Sequence, residues 1–256
     1  MIHNNLEIDH NEEFGTLANA PIVEAVLHWH AVATTDFFDS NFTENLQTAF
    51  TEYQCENQQS LSTGITGNQQ GINVSHKTTL HGARLTSHDG RFVCQFIRDG
   101  VVFSQLKPYA DWNSLIAEAR KFWIHFQQVA APNEITRLAV RYISQIPVEN
   151  ARGANSYIEN VCQPLSAITL SADEYFHQDT IKLENYPYSI NLVRAVQSSP
   201  NQQKHLLVDI SAYTRQQLGI DSDIETTLED LRFIKNKVFF TLMNNPDQKF
   251  GQQSNV

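Results

Sequence analysis

The sequence predicts an α+β protein built on one curved antiparallel sheet, with two long helices packed on one face. Three observations carry that expectation. Apolar residues alternate with polar ones in the runs at 21–33, 136–146 and 204–213, the period of a half-buried strand. Asp89-Gly90 and Asp99-Gly100 each sit between β-rich runs, and Asp-Gly suits the positive φ angles of a tight hairpin turn. Two wide apolar stripes at helical spacing start near Trp112 and near Leu228.

Taken in order, residues 1–17 are polar and aperiodic and read as a flexible leader. The run PIVEAVLHWHAVA is a strand: Val23, Ala25, Leu27, Trp29, Ala31 and Ala33 share an apolar face, while Glu24, Val26, His28 and His30 share the other. FTENLQTAFTEY places Phe42, Leu46, Ala49, Phe50 and Tyr53 at helical spacing, with Asn41 or Thr43 able to cap the start. The Gln/Ser/Gly/Asn-rich stretch from Glu56 to Gly71 reads as a surface connection, and INVSHKTT as a candidate extra strand. The two Asp-Gly turns then define a three-stranded meander over residues 81–109. A helix follows with Asp111 as N-cap and Trp112, Leu115, Ile116, Ala119, Phe122, Trp123 and Phe126 as its buried stripe.

The second half repeats this order. TRLAVRYISQI is a strand, and SYIENVCQPL can form a short helix. The runs SAITLSA, YSINLVRAVQ and KHLLVDISAY are β-rich, the last two separated by a Ser-Ser-Pro-Asn turn. A closing helix near 224–243 carries Leu228, Leu231, Ile234, Val238 and Leu242 on one face. It is acidic at its start and basic in its middle, the sense that suits the helix dipole. Residues 18–132 and 133–243 thus read as two α+β halves of one compact domain, followed by a flexible tail at 244–256. The order strand, helix, antiparallel strands, long helix looks like the duplicated layout of the TATA-box-binding protein, a resemblance of element order without identity between the halves.

Composition narrows the function classes. The 256 residues carry a net charge of −10, and no Lys/Arg run interrupts it, so nucleic acid is disfavoured as a partner. No apolar run approaches the ~20 residues that span a bilayer. Cys55, Cys94 and Cys162 are odd in number, widely spaced and free of any zinc pattern, and there is no secretory leader, so a reducing cytoplasm is expected.

Four stretches, APIVEAVL, RLAVRYISQI, LLVDIS and LEDLRFIKNKVFFTLM, together resemble a sporadically distributed family of bacterial proteins of about this length. The resemblance implies an accessory gene of patchy occurrence, useful in conflict or defence, and lends no catalytic residues because no activity is established for that family. Its closing helix usually reads Leu-x-x-Leu-His; here Arg232 stands at the His position.

Candidate sites follow from the strand faces. His28 and His30 point the same way from one strand, with Glu24 on that face, and such a pair can hold zinc if a third ligand arrives. A half-solvated outer strand face explains them equally and more simply, so no metal or other cofactor is expected. Arg137 and Arg141 share one face of their strand, and His205 and Asp209 one face of theirs, each opposite the apolar side. With Glu24 they predict a charged floor that recognises a protein partner or small anion through charge-assisted hydrogen bonds, against the alternative of a structural cross-strand ion pair. The motifs GxSxG, HExxH, GxGxxG and GxxxxGK[ST] are absent. The favoured expectation is a non-enzymatic binding or adaptor protein acting through the sheet. The alternatives are a metal-dependent hydrolase or other enzyme using Glu24, His28, His30, Arg141 and Asp209, and, more weakly, a nucleic-acid-binding protein.

Overall fold

The computed structural model describes residues 6–39, 41–68, 71–159, 174–199 and 201–252. Along the chain run β1 (Ile22–His30), α1 (Phe42–Ala49), β2 (Tyr53–Asn68), β3 (Gly71–Ser87), β4 (Phe92–Ile97), β5 (Gly100–Leu106) and α2 (Trp112–Ala130). Then come β6 (Glu134–Ile135), β7 (Arg137–Val148), a single 3-10 turn (Gly153–Ser156), β8 (Tyr175–Lys182), β9 (Tyr188–Ser198), β10 (Lys204–Thr214), β11 (Leu218–Gly219), α3 (Ile224–Leu242) and α4 (Pro246–Phe250).

Among the described residues the fold is α+β, dominated by a nine-stranded antiparallel sheet in the order β2-β3-β4-β5-β1-β7-β10-β9-β8. The alternating runs of β1 and β7 lie at the centre of the sheet: β1 pairs with β5 on one side and β7 on the other. Ala25, Leu27 and Trp29 are buried to 1% exposure or less, as alternation requires of the core side. The meander forms as its turn residues dictate. Gly90 and Gly100 both adopt positive φ, and a Cβ at Gly100 would collide with the Trp29 carbonyl, so this turn tolerates only glycine.

Packing follows from the helical stripes. α2 lies on β1, β4 and β5, and its Trp123 stacks on Trp29 with ring centroids 5.7 Å apart and planes 9° from parallel. Phe122 and Phe126 are fully buried among Phe96 and Phe103. α3 lies on β7 and β10 through Leu228, Leu231 and Ile234, all at 1% exposure or less. The two long helices start alike: Asp111 accepts from the Ser114 backbone N–H and hydroxyl, and Asp223 from those of Thr226.

Three stretches differ from the sequence expectation. The polar segment expected as a connection from Glu56 to Gly71 is mostly β2, which pairs with β3 from Tyr53–Ser87 out to Asn68–Gly71. Ladder hydrogen bonds use the backbone, so a strand can run where side chains give no apolar signal. The same holds for β8, whose Tyr175, Phe176 and Ile181 do not alternate with its polar residues. Residues 10–14 lie along α3: Phe14 stacks with Phe240, Glu12 pairs with the Lys237 ammonium at 2.6 Å, and His10 meets Asp230 at 2.9 Å. Near the other terminus Gln252 bridges to Leu17. The second half of SYIENVCQPL, with Cys162, and the run SAITLSA fall outside the described residues.

Candidate functional site

Cross-strand register places the predicted residues. Glu24 aligns with Ile143, which aligns with Asp209; Val26 aligns with Arg141, which aligns with Ser211. Opposed residues in a ladder project to the same side, so Glu24, Arg141 and Asp209 share the face opposite the Trp29 core. There Arg141 donates from Nε to one Asp209 oxygen at 2.8 Å and from Nη2 to the other at 2.6 Å. Asp209 is only 7% exposed, whereas the Arg141 side chain reaches solvent. The hydrogen bonds to Asp209, and then the negative charges of Asp209 and Glu24, hold the guanidinium above its ordinary range against the desolvation that opposes them. Around the trio lie Val26, Ile143, Val193 and Leu207, and in the next row, at the end of Gln145–Leu207–Ala195–Phe176, the Phe176 ring is 69% exposed.

Arg137 and His205 stand at opposite ends of this face, away from the trio. Arg137 lies over the Tyr213 ring, its Cζ 3.9 Å from the centroid. His205 aligns with Pro147 and Gln197, and its Nδ1 is buried without a hydrogen-bond partner.

The two histidines have separate surroundings. The His30 ring engages the Thr136 hydroxyl through Nδ1 at 2.6 Å and Asp99 through Nε2 at 3.0 Å. His28 is half-buried with Nε2 unpartnered, and burial, followed by the nearby charge of His30, pushes its pKa down to about 4. The rings meet edge to face at 5.8 Å. Among the described residues no group of three or more His, Cys, Asp or Glu side chains is placed to hold a metal ion. Cys55 and Cys94 are free thiols.

Sequence reasoning overlooked one group. Lys235, read as part of the basic middle of the last helix, is 8% exposed and lies over the Tyr142 ring, Nζ 3.6 Å from its centroid. The signal was available: Lys235 follows Leu228 by seven residues and Leu231 by four, so helical spacing sets it on the apolar stripe. Burial first, and the Arg232 charge second, lower its pKa to about 7. It faces a cleft of about 680 Å³ bounded by residues 14–23, 107–112 and one side of α3. The Tyr109 and Tyr142 hydroxyls meet there at 2.7 Å, and burial pushes the Tyr109 phenol up to about 12.

Among the described residues no helix is long and apolar enough to cross a membrane. No protein-family model matches this chain, and no curated protein matches it.

Proposed function

We propose that this is a binding or adaptor protein whose sheet face carrying Glu24, Arg141 and Asp209 recognises a basic protein partner. The observation that carries the reading is the composition of that face: a fixed Arg–Asp fork and a neighbouring carboxylate set among aliphatic side chains, with the exposed Phe176 ring on the same face two strands from Asp209. Interfaces combine such an aromatic anchor with oriented charge. The net charge of −10 favours a basic partner by long-range attraction. A resemblance to accessory bacterial genes would place the interaction in a conditional system such as defence.

We also infer that the two halves are a duplication in the manner of the TATA-box-binding protein. The order β5-β1-β7-β10 supports it, because β1 and β7 become equivalent central strands, β5 and β10 their neighbours, and α2 and α3 the helices that follow. The matched caps at Asp111 and Asp223 agree with this, as does the placement of both helices. Trp29, under α2, and Tyr142, under α3, belong to the same side of neighbouring strands, which leaves the opposite side to the charged trio.

The test is comparative co-purification from the native host followed by titration of the purified pair. A stoichiometric basic partner should be captured by the native protein and by Ile124→Asp on the outer surface of α2, and lost with Phe176→Asp and Arg141→Glu. Its affinity should fall as salt rises. Retention by both sheet variants, or no stoichiometric partner at all, would overturn the reading.

A further inference from the structure

The charges around Lys235 do not balance. Asp230, the carboxylate nearest in sequence, meets the His10 ring at 2.9 Å and accepts from the Tyr188 hydroxyl at 2.6 Å, and Glu229 accepts from Arg232 at 3.0 Å and from the Trp112 indole N–H at 2.5 Å. Asp111, on the facing loop, is engaged in capping α2 through Ser114. Lys235 itself has no carboxylate partner among the described residues, and its ammonium rests on the Tyr142 ring. A ring face offsets part of the cost of burying an ammonium, but an opposite charge offsets far more.

The cleft supplies room for that charge. Arg232, Lys235, Asn236 and Phe239 fall at helical spacing on one side of α3 and line it together. Lys107 adds a third cation to the lining. In the Tyr109–Tyr142 pair one hydroxyl donates to the other, so the accepting phenol keeps its own proton for a ligand oxygen. Ile22, Phe239 and Phe240 offer apolar wall. A volume of about 680 Å³ is that of a small-molecule site.

We propose that this cleft binds a small organic anion, a carboxylate or phosphate monoester on an aromatic or aliphatic body, with Lys235 as the buried counter-charge. The cleft includes none of Glu24, Arg141 and Asp209, and it reaches the sheet surface that would engage a protein at the His205 end. Because the amine titrates at about 7, an anion is held by the protonated form and released as pH rises. The charged and titratable groups that line the same cleft are Arg232, Lys107, Asp111, Tyr109, Tyr142 and His205, and of these His205 is controlled separately.

Calorimetric titration of the full chain with phenylacetate, phenyl phosphate and the uncharged control benzyl alcohol tests the proposal at constant ionic strength. Either anion should bind saturably at millimolar concentration or below and the alcohol should not; which anion binds distinguishes a carboxylate from a phosphate ligand. Phenylacetate, or phenyl phosphate if it alone binds, should lose about a hundredfold in affinity between about pH 6 and about pH 9, as the protonated fraction of an amine titrating at about 7 falls. Lys235→Met should abolish binding, while His205→Gln should keep the pH dependence. Unchanged binding by a folded Lys235→Met protein, failure of both anions to saturate, or a pH dependence that vanishes with His205→Gln would each overturn it. The pH profile of the unaltered protein decides the matter even if Lys235→Met does not fold.

Discussion

Arg141 and Asp209 form a two-pronged fork across β7 and β10, with both carboxylate oxygens engaged within 2.8 Å. Arg141 aligns with Ser211, so the pair is diagonal rather than directly opposed, and the long guanidinium arm spans the offset.

Removing the cation should cost more than removing the pair. Asp209 is nearly buried, so Arg141→Met leaves a carboxylate without its partner and should destabilise by about 1–3 kcal/mol. Adding Asp209→Asn to that variant should restore part of the loss, because a neutral amide tolerates burial better. Urea unfolding of the two single variants and the double variant measures the coupling.

Lys235 predicts a stability that rises with pH. Its pKa is about 7 when folded and near 10.5 when exposed, so between these values the unfolded chain binds more protons and folding is favoured as pH increases. The penalty is fully present below about pH 7. Lys235→Met should therefore stabilise the protein at pH 6, by up to roughly 5 kcal/mol, and the gain should fade toward pH 10.5. Melting curves of the two proteins across this range give the difference directly.

His28 predicts a slope at lower pH. The folded imidazole titrates at about 4 against an ordinary 6.5, so acidification from 6.5 to 4 loads protons on the unfolded chain first and stability falls through that window. His28→Gln should flatten this part of the profile, by at most roughly 3 kcal/mol at its acid end. Melting temperature against pH, compared between the two proteins, is the measurement.

The matched helix starts should respond alike. Asp111→Ala and Asp223→Ala each remove the acceptor for a first-turn N–H, Ser114 or Thr226, and each should cost about 1 kcal/mol. Denaturant midpoints read both. A loss at one position only would mean that the corresponding helix end gains its stability elsewhere.

Much of the framework was legible in particular residues. Alternation in β1, β7 and β10 announced both their pairing faces and the charged side. Asp-Gly pairs announced the meander, and the stripes with their aspartate caps announced α2 and α3. The trio was partly legible as well: Glu24, Arg141 and Asp209 each stood on the polar side of a strand. That Arg137 and His205 would sit at the two ends of the same face, apart from the trio, required the register. β2 was illegible because its many Gln, Ser, Thr and Asn side chains carry no periodic burial signal, and β8 because Tyr175, Phe176 and Ile181 do not alternate with its polar residues, while the backbone ladder that makes them strands is common to every residue.

By itself, the sequence determined the α+β class, the strands with one greasy side, the turn positions and the helix starts, all of which depend on local periodicity and backbone preference. Tertiary structure alone decided strand order, the meeting of Arg141 with Asp209, and the enclosure of Lys235 between α3, Tyr142 and the 107–112 loop. Those depend on segments far apart in the chain, and the solvation of a charge is set by whatever surrounds it in space.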